Sequence, residues 1–175
     1  MRKLSILGGL ILFAAVPAMA QKDYTGEVGG NYTYVRLNPG GTNCQGGGGS
    51  VAGNLNNYLG IAGEFSGCKV TGLSGGSAHA FSYLFGPRVT YRGHGSFEPF
   101  AEALVGGARL TASSGGTSAS LNSFAFAVGG GADYKFSRSL AIRFIQADYL
   151  FTHFAGVKQN NVRIQAGIVL RFGGR

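Results

Sequence analysis

The sequence has no Trp, four Pro, two Cys and only seven acidic residues in 175. Each scarcity excludes something. A charged share of 13% beside a hydrophobic share of 45% excludes intrinsic disorder, which needs weak hydrophobicity and dense charge. Scarce Pro, and Gly residues that keep no period of three, exclude collagen. Past the amino terminus no run of 18 apolar residues occurs, which excludes a membrane-spanning helix. There is no Walker lysine and no His-Glu-x-x-His, so phosphate-loop and zincin chemistry lack their residues, and no cofactor motif stands in their place. What is abundant is Gly, 32 residues, with 13 Phe and 8 Tyr. Gly costs about 1 kcal/mol per helical position, so this composition also excludes a conventional helical protein.

The amino terminus is organised separately. Met1, Arg2 and Lys3 form a basic start, Leu4 to Val16 an apolar run, and Ala18-Met19-Ala20 a small-x-small site. This is the pattern of a secretory signal peptide over residues 1–20, with a mature domain over 21–175. The apolar run is too short for the ~20 residues of a spanning helix, and no Cys follows the site to mark a lipoprotein.

Beyond Gln21 the apolar residues alternate in period two. In the last segment Val162, Ile164, Ala166, Ile168, Leu170 and Phe172 share one face, and Arg163, Gln165, Gly167, Val169 and Arg171 the other. Eleven residues at about 3.3 Å each make roughly 36 Å, long for a soluble strand and suited to a tilted strand crossing a bilayer. Seven comparable segments precede it, giving 24–37, 47–55, 58–70, 79–91, 97–111, 120–133, 139–153 and 161–172. Eight is the even number a closed bacterial barrel requires. The predicted fold is therefore all-β, an eight-stranded antiparallel up-and-down transmembrane barrel; a soluble lipocalin-like barrel shares the alternation.

Short turns at Asn56-Asn57, Gly93–Ser96 and Tyr134–Arg138 alternate with longer Gly/Ser/Thr/Asn-rich stretches at 38–46, 71–78, 112–119 and 154–160. This inequality predicts periplasmic turns, external loops and two periplasmic termini. The seventh segment breaks strict alternation, because Arg143 differs in parity from Gln146 and Asp148. Either a β-bulge near Phe144 to Gln146 turns all three inward, or the strand register differs.

The candidate lumen face collects Glu27, Glu64, Arg88, Glu102, Asp148, Arg163 and Arg171, with Glu98 and Arg143 close to the same set. Opposite charges in so narrow a barrel are expected to pair, either as a packed plug or as a gated ion path. Cys44 and Cys68, in an exported chain and at one barrel end, predict a disulfide tethering the Gly-rich loop 46–49 to the wall. His79 and His153 near the external rim form a weak metal pair, and His94 lies at the other end. Gly72-Leu73-Ser74-Gly75-Gly76 spells Gly-x-Ser-x-Gly, but without the strand, helix, acid and His that a nucleophile elbow needs. Gly129-Gly130-Gly131 lacks a dinucleotide site's spacing and suits relief of crowding in a strand. The basic residues are dispersed, which argues against nucleic acid; Lys69 and Lys158 are candidates for lipopolysaccharide phosphates.

Several stretches carry a family likeness: Tyr58-Leu59-Gly60 with Glu64-Phe65-Ser66-Gly67; Tyr83 to Arg88; Pro99 to Ala103; Gly129 to Gly131 with Asp133; Gln146 to Tyr149; and Asn161 to Gly173. With them the chain resembles the bacterial outer-membrane β-barrel domain family, the eight-stranded group that includes the OmpA transmembrane domain and opacity-like surface proteins. The resemblance implies residence in the bacterial outer membrane among lipid and lipopolysaccharide. It also implies delivery by the barrel-assembly machinery, with Phe172 as the aromatic end of the terminal signal, although Gly173-Gly174-Arg175 follows it. No peptidoglycan-binding segment follows the barrel, so cell-wall linkage is not carried over. The resulting expectation is a monomeric, non-enzymatic barrel with a structural or surface-interaction role and an unidentified external ligand. The alternative is a narrow porin-like channel for ions or small solutes.

Overall fold

The computed structural model describes residues 24–38, 42–70, 77–93, 95–115, 117–154 and 157–173. The export-type segment 1–20, the Gly72–Gly76 motif and His94 lie outside them. Eight strands follow one another: β1 (Gly26–Leu37), β2 (Thr42–Asn54), β3 (Leu59–Val70), β4 (Ser77–Thr90), β5 (Phe97–Ser114), β6 (Thr117–Lys135), β7 (Leu140–Phe154) and β8 (Val157–Phe172). Each pairs antiparallel with the next, and β8 pairs back onto β1 from Gly26↔Phe172 to Arg36↔Val162. Closure leaves no exposed edge along the cylinder, the condition for backbone to lie in hydrocarbon.

The period-two alternation produces an inverted protein. Tyr32, Phe65, Phe81, Tyr83, Phe85, Ile168 and Leu170 point outward and are exposed, while Glu64, Arg163, Gln146 and Gln165 are buried inside. In water the outer surface would carry a large unfavourable apolar area; in a bilayer it is the solvated face. Near the end that holds both termini, Phe97 stacks on Phe144 with centroids 6.1 Å apart and meets Tyr134 edge-on at 5.9 Å, part of an aromatic girdle.

The strands are longer than predicted at the opposite end, here termed the far end. β2 starts at Thr42 rather than 47, β5 and β6 extend to Ser114 and from Thr117, and β8 begins at Val157. The predicted long loops are therefore mostly hairpin: connections at the far end span 38–41, 71–76, 115–116 and 155–156, no longer than 55–58, 91–96 and 136–139 at the terminal end. Polar Gly/Ser/Thr sequence reads as loop, but here it is held by pairing with a neighbouring strand, as in Ser114↔Thr117 through Leu110↔Leu121. β6 meets β7 only from Ala125↔Thr152 downward, so the top of the β5–β6 hairpin stands clear of β7.

β7 resolves its broken alternation with a bulge. Its pairing with β8 shifts between Arg143 and Gln146, and Phe144 and Ile145 both face outward. One extra residue restores the parity, so Arg143, Gln146 and Asp148 all point inward and are buried.

Candidate functional site: the barrel interior

Every acidic side chain among the described residues (Glu27, Glu64, Glu98, Glu102, Asp133 and Asp148) is buried in the terminal and middle parts of the lumen. Cations from other strands reach across to them. In the middle, Arg163 Nη2 lies 2.5 Å from Glu64 and 2.7 Å from Asp148, while Arg88 Nε donates to Glu102 at 2.8 Å. Arg88 also lies 3.6 Å from both Glu27 and Glu64. The carboxylates of Glu64, Glu102 and Asp148 converge on the side-chain nitrogen of Gln146, at 2.8, 2.8 and 3.0 Å. An amide has two hydrogens for these three acceptors, so the arginines must carry the remaining charge. The convergence resembles a metal cage, but the amide and guanidinium groups already occupy its centre.

Nearer the termini a second layer closes the barrel. Arg143 grips Asp133 in a bidentate pair at 2.8 and 3.1 Å. Arg171 reaches Glu98 at 2.8 Å, Asp133 at 3.5 Å and Glu27 at 3.7 Å. Two aromatic rings each carry two guanidinium groups: Phe100 those of Arg88 and Arg143, at 4.7 and 4.5 Å, and Tyr24 those of Arg92 and Arg171, at 4.8 and 4.4 Å. Tyr24 donates to Glu98 at 2.8 Å and accepts from Arg92 at 2.8 Å. Burial, with Glu27 adding to it, raises the Tyr24 pKa above its ordinary value and keeps the donor proton in place.

Glycine makes this density attainable. In the ladder Gly129 stands between Glu102 on β5 and Asp148 on β7. A Cβ there would run into the Asp148 side chain and the Ala147 carbonyl, and one on Gly131 would meet the Phe100 ring. The long charged side chains fold into the space that their neighbours leave.

The seven residues singled out from the sequence thus meet in two touching layers. Glu98 and Arg143 sit in the layer nearer the termini. Sequence reasoning missed Arg92, which lies two residues past the end of β4 and was assigned to no face; Gln146 as the common donor; and Tyr24 and Phe100, which were given no role in the lumen. Asp133 carried a findable signal, sharing the parity of Gly129 and Gly131 on β6.

Cys44 and Cys68 form a disulfide, with Cα atoms 5.4 Å apart. Cys44 is in strand β2 and fully buried on the lumen side, not in a loop, and Gly46–Gly49 belong to the wall that they were expected to be tethered to. His79 and His153 face outward on β4 and β7 and are not brought together. Lys69 is exposed near the far end of β3, and Lys158 pairs with His153 in the backbone register. Phe172 ends β8 and is exposed.

A closed barrel with an apolar exterior and an ion-paired interior defines an integral β-barrel of an outer membrane. The chain belongs to the outer membrane protein beta-barrel domain family, whose model matches residues 8–172, and its place is the bacterial outer membrane. No curated protein matches the sequence. Among solved structures, Neisserial surface protein A is similar at 15% identity and TM-score 0.68, covering 85% of this chain and 97% of that one. Ail of Yersinia pestis is similar at 20% identity and TM-score 0.54, covering 86% and 99%. OprG of Pseudomonas aeruginosa is similar at 12% identity and TM-score 0.56, covering 89% and 99%. At these identities the likeness is one of fold.

Proposed function

We propose that the chain is a non-enzymatic outer-membrane barrel with a structural or surface-interaction role, closed to ions, with its termini in the periplasm and residues 1–20 removed as a signal peptide. The single observation that carries this is the pair of charged layers. Arg88 and Arg163 each engage acids from more than one strand, so a permeating ion would have to separate buried partners, each left uncompensated in a low-dielectric interior. Purified barrel in planar bilayers is expected to give no stable single-channel current under several ionic conditions. A reproducible unitary conductance would replace this reading with the porin-like one.

The surface role follows from where the charges went. With every described acid inside, the exposed charges among the described residues are all positive: Arg36, Lys69 and Arg109 near the far end and Arg138 at the terminal end. The three far-end cations face outward above the apolar belt, at the level of lipopolysaccharide phosphates. Assembly as a monomer through the barrel-assembly machinery, with Phe172 as the terminal aromatic of the signal, belongs to the same proposal.

A further inference from the structure

Above the charged layers the lumen changes character. A cavity of about 300 Å³ occupies its far half, lined on the inward face by Val35, Val70, Ala78, Ala80, Leu110 and Leu150. Among the described residues no charged side chain lines it. Of the polar groups that do, Ser66 bonds Ser82 at 2.7 Å, Asn161 donates to Thr152 at 3.3 Å, and the Asn161 side-chain oxygen accepts from the Asn38 backbone N–H at 3.0 Å. Beneath it Ala62, Leu84 and Leu104 form an apolar floor.

We infer that this cavity is a binding site for a small uncharged apolar molecule of roughly ten carbon atoms, entering from the far end, since its volume is about twice that of the apolar cavity that takes up benzene. A sugar, a nucleotide or an ion would leave its polar groups unpaired against this lining. The occupant proposed is a free molecule rather than a lipid acyl chain: between β1 and β5 the wall has no slot, since Val35 pairs with Cys44, Cys44 with Val70, Val70 with Ala78 and Ala80 with Leu110, and β6 and β7 part only above Ala125↔Thr152, a route that the phospholipid arm of the test below decides. The inference does not depend on the cationic rim or on conductance.

The test is photo-crosslinking of the full barrel in phospholipid nanodiscs with a ten-carbon alkyl diazirine, its adducts mapped by mass spectrometry. Adducts are expected at inward Val70, Ala78, Ala80 or Leu110 as well as at lipid-facing Phe65 and Phe85. Filling the cavity with Ala80→Phe should lower the inward adducts at least tenfold and leave the lipid-facing ones unchanged. If that variant loses the heat-modifiable gel mobility of a folded barrel, the smaller Ala108→Leu is read in the same way. Absence of inward adducts, or their persistence in a folded filled variant, overturns the site. Inward adducts from a phospholipid bearing the diazirine on its acyl chain overturn the choice of a free molecule.

Discussion

The two halves of the lumen are built on the same strands with the same inward alternation, yet one is filled and the other is open. In the terminal half the inward residues are long and charged, and each spans much of the barrel: Arg163 on β8 reaches Glu64 on β3, and Gln146 on β7 reaches Glu102 on β5 as well. In the far half they are Ala78, Ala80, Ala108 and modest aliphatics, which cannot meet across the same diameter. A barrel of this strand number is just wide enough for side chains to fill, so filling depends on side-chain reach rather than on backbone geometry. Reach comes with charge, charge demands partners, and the partners fill the terminal half with ion pairs.

The comparison breaks most readily at Arg163. Arg163→Ala leaves Glu64 and Asp148 facing each other without their shared cation, and a loss of about 3–5 kcal/mol is expected in urea unfolding from lipid bilayers. A loss under about 1 kcal/mol would show that the layer does not close the barrel energetically. Next comes the disulfide on the lumen side of the far half: with Cys44 and Cys68 24 residues apart, Cys44→Ala with Cys68→Ala should cost about 2–4 kcal/mol in the same assay. A smaller loss, about 1–3 kcal/mol, is expected for Gly129→Ala, whose methyl group meets the Asp148 side chain and the Ala147 carbonyl. Smallest is Leu110→Ala, about 1 kcal/mol or less, since it trims the lining of a space already open. If Leu110→Ala cost as much as Gly129→Ala, the far half would be packed rather than open.

Much of this was legible in the sequence. Strand number, closure, the lipid face and the charged candidates follow from period-two alternation, because one residue's slip would send Arg163 or Glu64 into hydrocarbon. The bulge in β7 was readable as a conflict of parity between Arg143 and Gln146. The far-end strand extensions were not, because Thr42–Gly46 and Thr117–Ala119 owe their strand form to partners rather than to propensity. The apolar half of the lumen was hidden for a different reason. Along β1 the inward positions run from Glu27 through Thr33 to Val35 and Leu37, with the charged Arg36 facing outward between the last two, so polarity there no longer marks the lumen face. The cation–π seats of Tyr24 and Phe100 need distances that no pattern supplies.

The central claim, a sealed charged half beneath an open apolar half, is tested most directly by thiol accessibility in nanodiscs, which expose both barrel ends. Ala80→Cys places a thiol in the far cavity, and Ser50→Cys places one beside Glu64 in the charged layer, each in a chain that keeps its native disulfide. A small water-soluble maleimide is expected to label Ala80→Cys at least a hundredfold faster than Ser50→Cys; equal rates would mean that water passes freely through the charged layer and would contradict the account.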